Sequence, residues 1–154
     1  MKFLVINGPN LNIMHFTEAG VDTPLSYDEL LDFIELCCQR MDVEVEFYQS
    51  NHEGDLIDEV QAASERADGI IINPGGYAHT SVALLDALRL CGVPAVEVLV
   101  EEPDPREPFR QTDVVSFGCQ GHFVGEGVAG YIQACAYLMQ LLRLDGGPAA
   151  HIAM

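Results

Sequence analysis

Polar residues that could bind a small ligand stand directly after the apolar runs of this chain. An asparagine-rich turn follows the first run, paired glycines and a histidine follow a run of three isoleucines, and acidic residues and two arginines follow a later run. Amide groups hydrogen-bond hydroxyls, and guanidinium groups pair with carboxylates. These residue types therefore predict a site for a small hydroxylated acid. The candidates are Asn10, Asn12, Asn73, Gly75, Gly76, His79, Glu97, Leu99, Glu101, Arg106 and Arg110.

These residues come together only if the apolar runs form neighbouring strands of one sheet. The run Ile70–Ile72 has no polar alternation, which is typical of a strand buried on both faces of a parallel sheet. Alternating strands and helices predict an α/β fold: a flavodoxin-like, doubly wound, five-stranded parallel sheet with helices on both faces. Such sheets bind ligands at the carboxyl ends of their strands. The predicted strands are residues 2–7, 43–49, 70–72, 95–100 and 114–118.

Helices are predicted between and after these strands, over residues 27–41, 53–66, 83–90 and 127–143. Ser26 and Glu29 form a capping-box sequence that starts the first helix. Ser50 or Asn51 is expected to cap the second. The connection at 13–25 is long for this kind of fold, and loops of that length tend to be functional lids or disordered.

Length and charge limit the class of protein and its partners. The chain has 154 residues and a formal net charge of −17. That length predicts a single domain, residues 1–144, followed by a flexible tail at 145–154. Nucleic acid and anionic membranes need clustered basic charge, so we expect neither as a partner. The apolar start is too short for a signal peptide, which predicts a cytoplasmic protein.

Cofactor and metal motifs are missing from the sequence. No G-x-G-x-x-G follows the first strand, and there is no P-loop. The five cysteines include no C-x-x-C pair, and their number is odd. This pattern indicates reduced, mostly buried thiols. We therefore expect no structural metal and no disulfide.

Long segments of the chain resemble type II 3-dehydroquinate dehydratases. These segments are residues 4–12, 49–58, 70–88, 94–98 and 106–110, and the similarity runs over about 2–143. The resemblance implies a flavodoxin-like subunit assembled as trimers into a homododecamer, with no metal or organic cofactor. It also implies dehydration of 3-dehydroquinate to 3-dehydroshikimate in the shikimate pathway, in which an enolate forms before hydroxide leaves with help from an acid.

The resemblance also implies roles for individual residues. Asn10 would hold the water that stabilises the enolate, and Asn73, His79 and Arg110 would bind ring hydroxyls. Asp86 would reach into the site of a neighbouring subunit. The complete predicted set is Asn10, Asp22 and Glu97 as catalytic residues, and Asn10, Asn73, Gly75, Gly76, His79, Asp86, Val100, Glu101 and Arg110 as substrate-binding residues.

The chain departs from the family's pattern where the chemistry is done. Thr17 and Asp22 stand where the family has a lid arginine and the tyrosine that removes the α-proton. Leu99 replaces a histidine that acts as general acid, and Glu101 replaces a serine that helps receive the substrate carboxylate. Loss of an acid or a base costs about 10²–10⁴-fold in rate. The ordinary mechanism is therefore not expected at normal speed.

Three interpretations follow from these substitutions. In the first, the protein is a divergent dehydratase in which Asp22 acts as the base and His15 or Glu101 supplies the acid. In the second, it is a lyase or isomerase for a related polyhydroxy ligand. If Glu101 faces that ligand, the ligand carries an amine, a hydroxyl or nothing where the family substrate has its carboxylate. In the third, it is a catalytically inactive homologue with a binding or assembly role.

Overall fold

A five-stranded parallel sheet forms the centre of the protein. The computed structural model of the chain describes residues 1–18 and 20–145. The strand order is β2-β1-β3-β4-β5, and every neighbouring pair is parallel. This is the flavodoxin-like order, so the predicted fold class is confirmed. The strands are β1 (Lys2–Asn7), β2 (Glu44–Gln49), β3 (Gly69–Asn73), β4 (Ala95–Leu99) and β5 (Gly121–Val124).

Helices cover both faces of the sheet, and alternate residues of the central strands pack against them. The helices are α1 (Tyr27–Arg40), α2 (Glu53–Ala62), α3 (Val82–Leu90) and α4 (Ala129–Asp145). Phe3 and Val5 of β1 pack on the side of α1 and α4, while Leu4 and Ile6 pack on the side of α2 and α3. Full burial of such a side chain contributes about 1.5–3 kcal/mol. The sheet is therefore held in register by two separate cores.

Local signals set the starts of α1 and α2 in different ways. The Ser26 hydroxyl accepts a hydrogen bond from the Glu29 N–H, and the Glu29 carboxylate accepts one from the Ser26 N–H, which confirms the capping box. Helix α2 begins after His52, whose side chain caps nothing. The Ser50 hydroxyl instead accepts from the His52 N–H at 3.0 Å and donates to Asp55 at 2.8 Å. The predicted cap at Ser50 or Asn51 is therefore corrected to a turn that precedes the helix.

The fifth strand lies later in the chain than predicted. The sequence VVSFG forms a 3₁₀ helix at Val115–Gly118, and the edge strand β5 is Gly121–Val124. Asp113 starts this turn because its carboxylate accepts a hydrogen bond from the Ser116 N–H at 3.1 Å. A Cβ at Gly118 would lie 3.0 Å from Leu85, so the turn packs closely on α3. Periodicity cannot distinguish so short an apolar run from a buried helical turn.

The predicted lid connection is attached to the fold at two points. Phe16 and Leu25 form an antiparallel bridge with hydrogen bonds of 2.7 and 2.8 Å, and the Phe16 side chain is 1% exposed. The Thr17 carbonyl accepts a hydrogen bond from the Val128 N–H at 3.2 Å, ahead of α4. A buried aromatic ring therefore anchors the segment, whereas its tip, which contains Asp22, is exposed.

Two remaining points concern the predicted C-terminal tail and membrane-spanning helices. All but the first residue of the predicted tail, 145–154, lies outside the described residues. Over the described ranges, no helix has both the length and the apolar character needed to cross a bilayer.

Candidate active site

A cavity of about 490 Å³ opens at the carboxyl ends of β1, β3 and β4. This is the edge at which open α/β sheets bind their ligands. Most of the predicted substrate-binding residues line it. The predicted residues that do not line it are Asp22, Asp86 and Glu97, together with the further candidates Asn12 and Arg106. The predicted residues in its lining are Asn10, Asn73, Gly75, Gly76, His79, Val100, Glu101 and Arg110.

The turns after β1 and β3 pack backbone against backbone to form the floor of the cavity. The Gly8 N–H donates to the Asn73 carbonyl at 2.7 Å, and a Cβ at Gly8 would lie 2.4 Å from the Pro74 oxygen. Gly75 has a φ of +60°, and a Cβ there would lie 3.0 Å from the Pro9 oxygen. Both positions therefore need glycine for a physical reason. This close approach holds the two asparagine-bearing turns together.

Asn10 has a left-handed backbone conformation, with a φ of +70°. Asparagine tolerates this region better than most residues. The Asn10 N–H donates to the Asn51 side-chain oxygen at 3.0 Å, which ties the turn to the segment before α2. The Asn10 side chain is exposed at the cavity, where its amide can donate to a ligand oxygen or to a water.

A buried chain of polar groups holds Asn73 from below. The Asn73 Nδ2 donates to the Tyr131 hydroxyl at 2.9 Å, and that hydroxyl donates to the Asn7 Oδ1 at 2.7 Å. The Asn7 Nδ2 then donates to the Tyr27 hydroxyl at 3.2 Å. Burial raises the pKa of Tyr131, which therefore stays neutral. Asn73 also accepts from the Gly75 N–H, so one amide hydrogen remains for a ligand.

The sequence analysis missed Asn7 and Tyr131 as parts of the site. Tyr131 lies in the apolar periodicity of α4, where an aromatic residue predicts only core packing. Asn7 ends a buried strand and is 0% exposed. A buried asparagine needs a partner, and this is the signal that could have revealed the network.

His79 is held in one tautomer by the loop that precedes Asp113. Its Nδ1 lies 2.9 Å from the Thr112 carbonyl oxygen. A carbonyl only accepts hydrogen bonds, so Nδ1 carries the proton of the neutral ring and Nε2 remains an acceptor. Because His79 lines the cavity, the histidine is suited to accept a hydrogen bond from a ligand hydroxyl.

Carboxylates dominate the opposite side of the cavity, which the exit of β4 and the loop after it form. The ionisable residues in the lining are His79, Glu101, Glu102, Asp104, Glu107 and Arg110. The Arg110 Nε donates to the Glu107 carboxylate at 2.6 Å, so this arginine is already paired. Arg106 does not line the cavity, and it pairs with Asp104 at 2.7 Å.

Leu99 occupies the end of β4, where it lines the cavity and is 8% exposed. A leucine cannot transfer a proton. Among the described residues, no tyrosine lines the cavity. Tyr27, the nearest tyrosine in sequence to the lid segment, is half-buried in the network beneath Asn73. The proton donors and acceptors available at the cavity are therefore the histidine and the carboxylates.

Glu97 lies inside the protein rather than at the cavity. It is 0% exposed, and among the described residues no N–H or O–H donor reaches its carboxyl oxygens. Burial and the neighbouring Asp113 carboxyl raise the pKa of Glu97 to about 10. Glu97 therefore carries a proton at neutral pH, which it can donate to Asp113. Asp113 lines a smaller cavity of about 280 Å³, and Leu99 and Arg110 line both cavities.

The other candidates for acid or base lie outside the cavity lining. Asp22 and His15 are exposed on the segment before α1. Asp86 is exposed on the outer side of α3. Their roles remain predictions that require a movement of the segment or a second subunit.

Comparison with known proteins agrees with this geometry. The family described as Dehydroquinase class II matches residues 1–139. The chain is 42% identical to a 3-dehydroquinate dehydratase of Caldicellulosiruptor bescii, covering 92% of this chain and 98% of that protein. It is 44% identical to a protein of the same name from Fusobacterium nucleatum, covering 91% and 97%.

Solved structures of related proteins resemble this fold. The type II dehydroquinase of Butyrivibrio crossotus has a TM-score of 0.82 at 43% identity, covering 90% of this chain and 97% of that one. A 3-dehydroquinate dehydratase-like protein of Bifidobacterium longum has a TM-score of 0.69 at 26% identity, covering 92% and 98%. The resemblance drawn from the sequence is confirmed: the chain belongs to the class II dehydroquinase family.

Proposed function

We propose that this protein is a lyase of the class II dehydroquinase type that binds a small polyhydroxylated ring and dehydrates it with a substituted acid and base. The reference reaction is the conversion of 3-dehydroquinate to 3-dehydroshikimate. One observation carries the proposal: Asn10, Asn73, His79 and Arg110 line a single cavity at the strand ends. Leu99, at the end of β4, lines the same cavity and cannot transfer a proton.

Dehydration next to a ketone needs a base for the α-proton, a donor for the enolate oxygen and an acid for the departing hydroxide. The amide of Asn10 is placed to donate, directly or through water, to a developing oxyanion. Asn73 and His79 supply one free amide hydrogen and one free ring nitrogen for hydroxyls of the ring. The floor of the cavity therefore supports binding and enolate stabilisation.

Glu101 is the proton carrier that the geometry favours. Of Asp22, His15 and Glu101, only Glu101 lines the cavity in the described structure. Asp22 acts as base in this proposal only when the tip of the segment before α1 closes over the cavity. Glu97 acts through Asp113, because neither of its oxygens reaches the cavity. With a carboxylate instead of a matched acid–base pair, turnover is expected to fall by about 10²-fold or more.

A progress curve with pure protein and 3-dehydroquinate tests this function, with the conjugated enone of the product as the signal. Slow turnover that Glu101→Gln and Asn73→Ala both abolish supports the proposal. The matched control is Glu65→Gln, an exposed change away from the cavity that should leave turnover unaltered. Loss in Asp22→Asn but not in Glu101→Gln would move the base to the lid segment. Absence of turnover, with no binding of the ring, would contradict the proposal.

A second candidate is a lyase or isomerase for a related ligand, and the carboxylates of the cavity favour it. Glu101 and Glu102 face the cavity beside the paired Glu107 and Asp104. A screen of polyhydroxylated rings by thermal shift distinguishes it from the first. Binding of a ring that is not 3-dehydroquinate, with no binding of 3-dehydroquinate, would favour this candidate.

The proposal includes a homo-oligomer, trimers that assemble into a dodecamer, in which Asp86 contacts the site of a neighbouring subunit. Its support is the outer side of α3, where Asp86 lies with exposed apolar side chains. Val82 is 57% exposed and Leu90 is 85% exposed, and Phe117 of the adjoining turn is 68% exposed. Contiguous exposed apolar surface marks protein interfaces.

Light scattering coupled to gel filtration tests the assembly. A mass of twelve times the 16.8 kDa subunit is expected, and Leu90→Glu should lower it. Leu36→Glu, at a 48% exposed position on α1, is the matched control. A monomer for the unmodified chain would contradict the assembly.

A further inference from the structure

The charges around the cavity specify the kind of ligand. We propose that the polyhydroxylated ring which this cavity binds carries an amine, and not a carboxylate, on the side that faces Glu101 and Glu102. The inference rests on the proposed function, because it concerns the same cavity, and it names the substrate class. The strand ends and their side-chain amides form the ligand site, and the carboxylates determine which charge on the ligand it prefers.

The cavity has one arginine in its lining, and that arginine is already neutralised. Arg110 pairs with Glu107 at 2.6 Å, and Arg106 pairs with Asp104 at 2.7 Å outside the lining. A carboxylate ligand would have to share Arg110 with Glu107, which already offsets the positive charge of this arginine. The arginines that suggested an acid-binding site from the sequence are therefore committed to carboxylates of the same loop.

Of the four carboxylates that line the cavity, Glu101 and Glu102 have no lysine or arginine partner among the described residues. The other lysine and arginine side chains belong to other elements and do not line the cavity. These are Lys2, Arg40, Arg66, Arg89 and Arg143. Two carboxylates of the lining thus have no lysine or arginine partner at the space in which the ligand binds.

Backbone contacts hold the residues that directly precede these two glutamates. The Gly125 N–H donates to the Leu99 carbonyl at 2.9 Å, and the Gly127 N–H donates to the Val100 carbonyl at 2.9 Å. The Glu102 side chain packs on Gly125, where a Cβ would lie 2.8 Å from the Glu102 Cγ. The segment that carries both glutamates is therefore fixed by the turn between β5 and α4.

The physical consequence is a difference in affinity between rings that differ in one substituent. An ammonium group near two carboxylates gains Coulomb energy, and a carboxylate loses it. Both glutamates are exposed to water, so each charge is expected to change affinity by about tenfold or less. The preference should also weaken in high salt, because salt screens exposed charges.

Calorimetric titration of the full chain with three probes tests the inference. The probes are quinate, its neutral primary amide, and the analogue with an aminomethyl group in place of the carboxylate. The expected order of affinity is amine, then amide, then quinate, with about tenfold between neighbours in low salt. Glu101→Gln with Glu102→Gln should remove the advantage of the amine over the amide and over quinate.

The matched control is Glu35→Gln with Glu65→Gln, which removes the same net charge at exposed positions away from the cavity. It should keep the order of the three probes. Quinate binding as tightly as the amine, or an order that both double variants change equally, would overturn this inference and leave the proposed function standing. Failure of all three probes to bind a folded chain would overturn the proposed function as well.

Discussion

The two sides of the cavity are built in different ways. On the floor, the turns after β1 and β3 touch through their backbones, and a buried chain of hydrogen bonds fixes Asn73. On the opposite side, the exit of β4 presents an aliphatic side chain and then carboxylates. A floor fixed by packing is costly to alter, whereas side chains at a strand exit are exchanged with little effect on the fold. The comparison suggests a retained binding frame that carries exchanged chemistry.

The largest expected effect comes from breaking the floor itself. Gly8→Ala places a methyl group 2.4 Å from the Pro74 oxygen, so one of the two turns has to move. We expect a loss of about 3 kcal/mol or more in the free energy of unfolding, together with loss of ligand binding. Urea denaturation and a binding titration measure the two effects. Gly54→Ala is the control, because no atom lies within 4 Å of that position and the helix should be slightly stabilised.

Removing one hydroxyl from the buried network should have the next largest effect. Tyr131→Phe leaves the Asn73 Nδ2 and the Asn7 Oδ1 without their partner. We expect a loss of about 1–3 kcal/mol in the free energy of unfolding, and weaker ring binding because Asn73 is no longer held. Tyr137→Phe removes a hydroxyl that donates to the Gln120 carbonyl at an exposed site, and should cost less. Equal losses in the two variants would contradict the role of the network.

Glu97, which is buried on β4, makes a pH-dependent contribution to the stability of the protein. Its pKa is raised to about 10 in the folded protein, from an ordinary value of 4.5, so the folded state binds a proton that the unfolded state releases above pH 4.5. The contribution of Glu97 to stability is therefore full below pH 4.5 and declines as the pH rises towards 10. Glu97→Gln keeps the shape and removes the titration.

We expect Glu97→Gln to stabilise the protein by about 1–3 kcal/mol at pH 7 and by little near pH 4.5. Denaturation curves at both pH values measure the difference. Glu65→Gln, an exposed glutamate, should show no such dependence. A stabilisation of equal size at both pH values would show that Glu97 is ionised in the folded state.

The smallest effect on stability is expected at the paired arginine. Glu107→Gln frees Arg110 from its 2.6 Å ion pair and removes a negative charge from the cavity. Stability should change by about 0.5 kcal/mol or less, because the pair is partly exposed, while the affinity for quinate should rise several-fold. Glu59→Gln removes one of the two carboxylates that pair with Arg66, far from the cavity, and should leave quinate binding unchanged. A fall in quinate affinity in Glu107→Gln would show that the carboxylate does not compete for Arg110.

The sequence predicted most of the floor because its signals are local. Uninterrupted isoleucines, paired glycines and the capping box each lie within a few residues of one another, and each has a simple steric or hydrogen-bonding cause. The order of the sheet followed from alternating elements. The edge strand was misplaced because a four-residue strand that contains glycine has little periodicity, while a nearby apolar turn has more.

The parts of the site that depend on contacts between residues distant in the chain could not be predicted from the sequence. Tyr131 meets Asn7 across 124 positions of the chain, and no spacing indicates that pair. Glu97 was predicted as catalytic from its place on β4, but the direction of its side chain depends on which face of the strand points to the cavity. Arg110 and Glu107 are close in sequence, but whether Arg110 pairs with Glu107 or with a ligand carboxylate depends on the conformation of the folded loop.

The most direct test of a retained frame with exchanged chemistry is the turnover of 3-dehydroquinate by the variant Thr17→Arg, Asp22→Tyr, Leu99→His, Glu101→Ser. If the floor still positions the ring, the variant should convert the substrate at least about tenfold faster than the unmodified chain, because it regains an acid and a base. Adding Asn73→Ala to the variant should then abolish the gain. A folded variant that binds the ring but shows no gain would contradict the account.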